Sequence, residues 1–218
     1  MKRIFAFLLT LTMVATCAVY PAMATNVADM EENVQEVNGV HIPLDATCVQ
    51  EGNATVYYDF YDSVNHMHYA FYNVVTGEHF AISDPYEVDV ETDASGARGR
   101  KHTAHDYSFS TTSCVYGNLN KVFFDLPATT VYISGTAETK RMADGSITSN
   151  DYEDGCRYTI TVKQDKFFGK NEEFLGIAGK ELTGDFQAAK GEYYMNACTS
   201  IDMNDGEYLE GSGSLYYY

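Results

Sequence analysis

The chain has 218 residues, of which 31 are Asp or Glu and 14 are Lys or Arg, which gives a formal net charge of −17. This excess of acid argues against a nucleic-acid-binding protein, which clusters Lys and Arg against phosphates, and against docking on anionic lipid through polybasic segments. Because 45% of the residues are apolar, the chain is not a disordered one, and its length suits a single domain.

The N-terminus has the pattern of a secretory signal peptide. Two basic residues precede an apolar stretch over residues 4–18, and Ala22-Met23-Ala24 supplies the small residues of a cleavage site. The apolar stretch is shorter than the roughly 20 residues of a membrane-spanning helix. We therefore predict that residues 1–24 are a signal peptide, that the chain has no transmembrane helix, and that cleavage near Ala24 yields a secreted, periplasmic or cell-surface protein.

Cleavage there would leave an even number of cysteines. In an exported chain such a set predicts two disulfide bonds, with three alternative pairings among Cys48, Cys114, Cys156 and Cys198. No C-x-x-C pair occurs in the sequence, and the gaps between the cysteines are too long for a zinc ribbon. The cysteines are therefore predicted to be structural rather than catalytic or metal-binding.

Residues 25–52 are polar and acidic, and their few apolar residues recur at near-helical spacing. Asn26 is a candidate N-cap and Gly39 a candidate end for a short helix in this region. We predict an acidic N-terminal arm that carries this helix, followed by a single domain over residues 53–218.

From residue 54 onwards the pattern changes to short segments rich in aromatic and β-branched residues, separated by Gly, Asp, Asn and Ser. Residues 91–105 are the predicted long loop. The many short segments predict an all-β fold, namely an antiparallel β-barrel of about eight strands, with a β-sandwich as the alternative. The predicted strands are residues 55–61, 68–75, 78–82, 86–91, 107–116, 121–126, 129–139, 157–163, 182–188, 192–201 and 213–218.

Histidines give the best hypothesis for a metal site. His66 and His68 would lie on one face of a strand, a spacing that suits two ligands of one Zn²⁺ or Cu²⁺, and His102 and His105 form a second pair. Two ligands do not complete a site, and the alternative is a solvated pair at a hairpin turn. The sequence predicts no cofactor.

The sequence contains none of the common catalytic signatures, such as G-x-S-x-G, H-E-x-x-H, a P-loop or G-x-G-x-x-G. Their absence favours a binding protein over an enzyme, but it does not exclude an enzyme. The densest group of tyrosines has two interpretations, as ligand-stacking rings or as core and strand-face residues, and β-propensity favours the second. The group comprises Tyr57, Tyr58, Tyr61, Tyr69 and Tyr72.

In the C-terminal third, residues 184–193 read GDFQAAKGEY, which resembles the G-x-F-x-x-A-x-G segment of dirigent proteins and allene oxide cyclases. Residues 206–215 resemble the final strand of the same families. The resemblance implies an eight-stranded antiparallel barrel with an internal cavity. Dirigent proteins steer radical coupling and allene oxide cyclases cyclise an unsaturated fatty-acid epoxide, but no counterparts of their functional residues occur in this sequence, and fold alone does not transfer activity.

Together these patterns predict an exported, disulfide-stabilised, acidic β-barrel that binds a small apolar ligand or a surface partner without catalysis. One alternative is an enzyme of the cyclase or dirigent type that acts in the barrel cavity. Another is an outer-membrane or cell-surface structural barrel, because residues 213–218 form an aromatic C-terminal strand.

Overall fold

The computed structural model describes residues 33–89, 101–117, 122–148, 155–200 and 203–218, and within them the chain forms β-strands and no α-helix. The predicted signal peptide lies outside the described residues. The strands are β1 (Val34–Val37), β2 (Val40–Pro43), β3 (Thr47–Glu51), β4 (Ala54–Asp62), β5 (Met67–Asn73), β6 (His79–Ser83), β7 (Tyr86–Asp89), β8 (Lys101–Thr111), β9 (Cys114–Tyr116), β10 (Phe124–Leu126), β11 (Thr130–Arg141), β12 (Arg157–Gln164), β13 (Asn171–Ile177), β14 (Glu181–Gln187), β15 (Gly191–Thr199) and β16 (Glu207–Tyr217).

Nine strands form a long antiparallel sheet in the order β14-β11-β16-β8-β6-β5-β4-β3, and β7 pairs with the first part of β8. Consecutive strands β3 to β6 are joined by short turns. The middle of the sheet is built differently, because the C-terminal strand β16 lies between β8 and β11. This arrangement brings together three long strands that are far apart in sequence.

A second antiparallel sheet has the order β10-β15-β12-β13, with β9 also paired to β15. Its apolar residues face those of the long sheet and form one core with them; Phe109 and Tyr158, for example, lie 6.2 Å apart between ring centroids. Alternation explains the packing, since residues two apart on a strand share a face. Tyr158, Ile160 and Val162 of β12 are all buried in this core.

The prediction of an all-β, antiparallel fold is confirmed. The strand pairings among the described residues do not close into the predicted barrel of eight strands; they give two sheets that pack face to face, as the sandwich alternative requires. The physical reason is that the long sheet ends in strands β14 and β3, which pair on one side only.

The N-terminal arm also differs from its prediction. Residues 34–37, expected to be the end of a helix, are β1, which pairs with β2 as a hairpin. Asn38 and Gly39 join the two strands with φ values of 53° and 82°. Positive φ at both central residues is the geometry of a type I′ turn, for which Asn-Gly is the preferred sequence. The turn chemistry therefore outweighs the near-helical spacing of the valines.

This hairpin builds a second core on the outer side of the long sheet. Val40 and Ile42 of β2 pack against Phe60, Tyr69 and other residues of β4, β5 and β6. Phe60 and Tyr69 stack with ring centroids 4.9 Å apart, so this part of the tyrosine cluster belongs to a core, as β-propensity favours. Residues 34–218 form one compact unit, and residues 1–32 lie outside the described part of the chain.

Candidate binding face and cleft

The outer side of the long sheet is covered only in part. The β1–β2 hairpin packs over β4, β5 and β6. No described element covers the same side of β8, β16 and β11, and most of their outward residues are half-buried or exposed, although Ala104 and Ser110 on β8 are buried. Inward residues of these strands, such as Ile133 and Leu209, are fully buried in the main core. Within the described part of the chain, this half of the sheet is therefore an uncovered, mostly polar surface backed by the buried core.

The centre of this surface carries small hydroxyl side chains. Strand register places Ser134 opposite Ser214, Thr136 opposite Ser212, and Ser212 opposite Ser108 on the next strand. Because outward positions alternate along each strand, these hydroxyls form two neighbouring rows across three strands. We name this area the hydroxyl floor, and its members are Ser108, Ser134, Thr136, Ser212 and Ser214.

A cluster of aromatic rings bounds the hydroxyl floor at one end. Tyr132 and Tyr216 are cross-strand partners whose rings are nearly parallel, with centroids 5.3 Å apart. Tyr218 lies edge-on to Tyr132 at 5.7 Å, and His102 lies within 5.6 Å of Tyr216. Burial, reinforced by the neighbouring tyrosines, raises the pKa of Tyr216, so its hydroxyl stays protonated at neutral pH. A cleft of about 490 Å³ opens beside this cluster.

The opposite end of the hydroxyl floor is charged. Lys140 Nζ lies 2.5 Å from Glu210 Oε2, and this hydrogen bond raises the pKa of Lys140, so the amine remains protonated. Tyr208 stands opposite Lys140 in the strand register. Tyr208 and Tyr216 are eight residues apart on β16, which corresponds to about 27 Å along the strand. The two ends thus define an elongated surface.

A groove of about 410 Å³ runs from this charged end to the β1–β2 hairpin, lined by Tyr72, His79, Tyr208 and Glu210 among others. His79 Nδ1 lies 2.8 Å from the Gly77 carbonyl oxygen. Burial lowers the pKa of His79 more than this carbonyl raises it, so the ring is neutral at pH 7. Because Nδ1 then donates to the carbonyl, Nε2 is the acceptor. The groove therefore offers donors and acceptors beside aromatic rings.

One residue of the hydroxyl floor is fixed by a carboxylate. Ser214 Oγ donates to Asp106 Oδ1 at 2.5 Å, and the Tyr86 hydroxyl donates to the same oxygen at 2.9 Å. The Asp106 backbone amide in turn donates to Ser83 Oγ at 2.8 Å. These bonds tie β6, β7, β8 and β16 together and hold Ser214 in one orientation.

The two histidines of the predicted metal site lie on either side of a tyrosine. His66 Nδ1 is 3.2 Å from the Tyr61 hydroxyl, while the His68 ring lies 4.4 Å from the Tyr61 ring and its Nε2 is 3.2 Å from Asp84 Oδ1. Among the described residues, no group of three or more His, Cys, Asp or Glu side chains could hold a metal ion. Binding of a metal by His66 and His68 stays a prediction.

The other predicted pair, His102 and His105, is separated. The two residues are three apart on β8 and so face opposite sides of the sheet. His105 is buried, its Nδ1 lies 3.0 Å from the Ser83 carbonyl oxygen, and burial lowers its pKa despite the neighbouring carbonyls. It lines a cleft of about 530 Å³ at the end of the main core, together with His68, Asp84, Phe123 and Phe124.

The four cysteines within the described residues form one disulfide, between Cys114 on β9 and Cys198 on β15, which face each other in the strand register. A disulfide indicates a non-reducing environment. The prediction of a second disulfide is corrected, because Cys48 and Cys156 are free. Cys48 is exposed on the edge strand β3, whereas Cys156 is buried against Met203, with their sulfur atoms 3.7 Å apart.

The tyrosines and serines of the uncovered face were not predicted as a site. The alternation of Tyr132, Ser134 and Thr136 is visible in the sequence, and so is that of Ser212 and Ser214. Alternation assigns residues to a face of their own strand, but it does not show that two distant strands are neighbours or which face stays uncovered. The sequence therefore shows two strands that each alternate small polar residues, but it does not show that the two strands pair.

No protein-family model and no curated protein matches the chain. Among solved structures, the CBM22-1–GH10 modules of Clostridium thermocellum xylanase 10B, in complex with xylohexaose, match 61% of this chain and 24% of their own at 9% identity and a TM-score of 0.29. The structure of infectious bursal disease virus Gx strain matches 67% of this chain and 44% of its own at 14% identity and a TM-score of 0.32. The chain thus spans less than half the length of either, and likenesses this low carry no argument. Among the described residues, no helix is long and apolar enough to cross a membrane.

Proposed function

We propose that this is an exported, disulfide-stabilised, non-catalytic binding protein that holds an extended, hydroxyl-rich ligand of the carbohydrate class on the uncovered face of its long sheet. The observation that carries the proposal is the hydroxyl floor between an aromatic cluster and a charged end. The predicted signal peptide and the disulfide support export.

The chemistry of the face favours a neutral sugar chain. Tyrosine rings offer an apolar surface for the C–H faces of sugars together with a hydroxyl for hydrogen bonding. Serine and threonine hydroxyls can both donate and accept, which matches a ligand whose own hydroxyls do the same. Glu138 and Glu210 stand opposite each other on the face, and with a net charge of −17 they disfavour an anionic polymer.

Binding to neutral polysaccharides of β-glucan, mannan and galactan type would test this proposal. We expect at least one to retard the protein in affinity electrophoresis, and the Tyr132→Ala/Tyr216→Ala variant to bind about tenfold or more weakly, because two aromatic contacts are lost. Tyr116→Ala is the matched control, since Tyr116 is an exposed tyrosine on β9, outside the long sheet.

Two results would contradict the proposal. One is a wild-type protein that binds none of these polysaccharides, and the other is unchanged affinity in the Tyr132→Ala/Tyr216→Ala variant. Because the proposal excludes catalysis, the chain length of a bound oligosaccharide should remain the same after prolonged incubation. Shortening of the oligosaccharide would instead point to an enzyme.

A second candidate function is supported by the cleft at the end of the main core. Its lining combines Val122, Phe123 and Phe124 with the His68–Asp84 pair, so an apolar molecule with one polar group would fit its chemistry. This is where the predicted small apolar ligand, or the substrate of a cyclase or dirigent-type enzyme, would bind. Native mass spectrometry of the protein with a fatty-acid probe would test it, and Phe124→Ala should weaken binding.

The alternative of an outer-membrane or cell-surface structural protein makes a different prediction. Such a protein would be recovered from the cell envelope only with detergent, whereas the proposed binding protein would be recovered without it. Fractionation of the producing cells distinguishes the two.

A further inference from the structure

The turn between β12 and β13 carries two phenylalanines that are almost fully exposed. The relative exposures of Phe167 and Phe168 are 94% and 92%. Single apolar residues are common on protein surfaces. Two adjacent aromatic side chains at the end of a hairpin form an exposed apolar patch, and such patches often mark binding sites for a protein or a membrane. We name residues 165–170 the Phe tip.

The backbone of the Phe tip is fixed by hydrogen bonds. The Gln164 amide donates to the Lys170 carbonyl at 3.0 Å, the Gly169 amide to the Lys166 carbonyl at 2.9 Å, and the Asp165 amide to the Glu192 carbonyl on β15 at 2.9 Å. The two phenylalanine rings meet edge to face, with centroids 4.7 Å apart. The exposure of the rings is thus built into the turn, so little conformational entropy would be lost on binding.

Lysines flank the phenylalanines along the chain. Lys166 and Lys170 belong to the turn itself, and Lys190 lies beside β15 in the neighbouring connection. The Lys166 amine lies 3.7 Å from the position that a Cβ at Gly191 would occupy. Asp165 also belongs to the turn and Glu192 follows on β15, so three lysines stand beside two carboxylates here, a local excess of positive charge in a chain of net charge −17. Apolar rings framed by lysines match the layered chemistry of a bilayer surface, where acyl chains lie beneath anionic phosphates.

We propose that the Phe tip docks the protein on an anionic lipid bilayer, independently of the ligand on the long sheet. A bilayer accepts projecting rings without a preformed pocket, whereas a protein partner would need a complementary cavity. The overall negative charge argues against such docking only at long range, because at physiological ionic strength charges more than about 8 Å from the surface are screened. The Phe tip contacts the bilayer first and brings lysines with it.

Flotation with vesicles tests the proposal. We expect the wild-type protein to float with vesicles of phosphatidylcholine and phosphatidylglycerol at 150 mM salt, and more weakly with phosphatidylcholine alone. Phe167→Ser/Phe168→Ser should reduce the bound fraction at least about tenfold, since most of the buried apolar area is lost. Leu175→Ser is the matched control, because Leu175 is 80% exposed on β13 but lies outside the Phe tip. All variants keep the same N-terminus, so residues 1–33 contribute equally.

A fluorescent reporter makes the test independent of the serine variants. The chain contains 18 Tyr and no Trp, so Phe168→Trp introduces a single tryptophan at the Phe tip that can be excited selectively over the tyrosines. Its emission should shift to the blue on addition of the anionic vesicles, whereas that of Tyr116→Trp should not.

Three results would overturn the proposal. They are no flotation of the wild-type protein, equal flotation of the Phe167→Ser/Phe168→Ser variant, and equal binding to both vesicle types. Sedimentation analysis adds a fourth, because a dimer that the serine variant abolishes, without vesicle binding, would assign the Phe tip to contact between two copies of the chain.

Discussion

Asp62 is fully buried at the end of β4, where it joins the N-terminal hairpin to the sheet. Its Oδ2 accepts a hydrogen bond from the His41 backbone amide at 2.9 Å and one from Asn65 Nδ2 at 2.8 Å. Its Oδ1 accepts from the backbone amides of Val64 and Asn65, at 3.0 and 2.9 Å. A single carboxylate therefore fixes both β2 and the β4–β5 turn.

This environment predicts a pH-dependent contribution to stability. Burial alone would raise the pKa of Asp62, but the hydrogen bonds from His41, Asn65 and Val64 together lower it. A carboxyl whose folded pKa is below its unfolded value of about 3.9 stabilises the fold above that pH, and the contribution is lost as pH falls through the folded pKa. We expect Asp62→Asn to lower the free energy of unfolding at pH 7 by about 2–3 kcal/mol, because charge-assisted bonds are lost.

Urea denaturation at pH 7 and at pH 3 would measure this effect. The difference between the wild-type protein and Asp62→Asn should narrow at the lower pH, where the wild-type carboxyl begins to accept a proton. Asp59→Asn is the control, since Asp59 is an exposed carboxylate on the same strand. A difference that stays constant between the two pH values would show that the charge of Asp62 is unimportant.

At the level of elements, the Cys114–Cys198 disulfide joins the three-residue strand β9 to β15. The two cysteines are 84 residues apart, so the bond closes a long loop in the unfolded chain. The loss of chain entropy on closing such a loop predicts a stabilisation of about 3–5 kcal/mol. The disulfide reinforces the short strand, which has three residue pairs with β15.

We expect Cys114→Ser/Cys198→Ser to lose most of that stabilisation in guanidinium denaturation. Cys48→Ser, at an exposed edge position, should change the free energy of unfolding by less than about 0.5 kcal/mol.

Alkylation mapping provides a second measurement. Cys48 should react in the folded protein, and Cys156 only after unfolding, because burial shields its thiol and raises its pKa. Alkylation of Cys114 or Cys198 without a reductant would contradict the disulfide.

The observed strands show which sequence patterns were sufficient to predict a strand and its bounds. Strands with clear alternation, such as β12 and β11, were predicted within a few residues of their observed bounds. The strand β13 was missed, because its segment begins with Asn and two Glu and its outward Leu175 breaks the alternation. Strand β8 begins at Lys101, inside the predicted loop of residues 91–105, since pairing with β7 and β16 outweighs a polar local sequence.

The candidate site was less predictable than the strands, for a related reason. The hydroxyl floor is assembled from β8, β11 and β16, and Ser108 and Ser212 are 104 residues apart in the chain. Register between strands so distant is set by the whole core rather than by any local pattern. The second disulfide failed as a prediction in the same way, because counting cysteines does not show that Cys48 and Cys156 lie in different surroundings.

On the scale of the whole molecule, the dominant feature is charge. The formal net charge is −17, and the described ion pairs between amines and carboxylates include the one between Lys140 and Glu210. A large excess of one sign destabilises a compact state by self-repulsion, although it keeps the protein soluble. Because the sheet face, the arm and the turns all carry acid, this repulsion is distributed over the surface rather than confined to one site.

Added salt should therefore stabilise the fold. Raising NaCl from 10 to 150 mM shortens the screening length from about 30 to about 8 Å, which weakens repulsion between separate parts of the surface. We expect the thermal midpoint, followed by circular dichroism, to rise by about 3–6 °C, which corresponds to about 1–2 kcal/mol for a chain of this size. A fold held by surface ion pairs would respond in the opposite direction.

The variant Glu173→Lys/Glu181→Lys, which reverses two exposed charges, should have a higher thermal midpoint at low salt than the matched Glu173→Asp/Glu181→Asp. Its thermal midpoint should also rise less on addition of NaCl. If both variants gain equally, repulsion is not the cause of the salt effect.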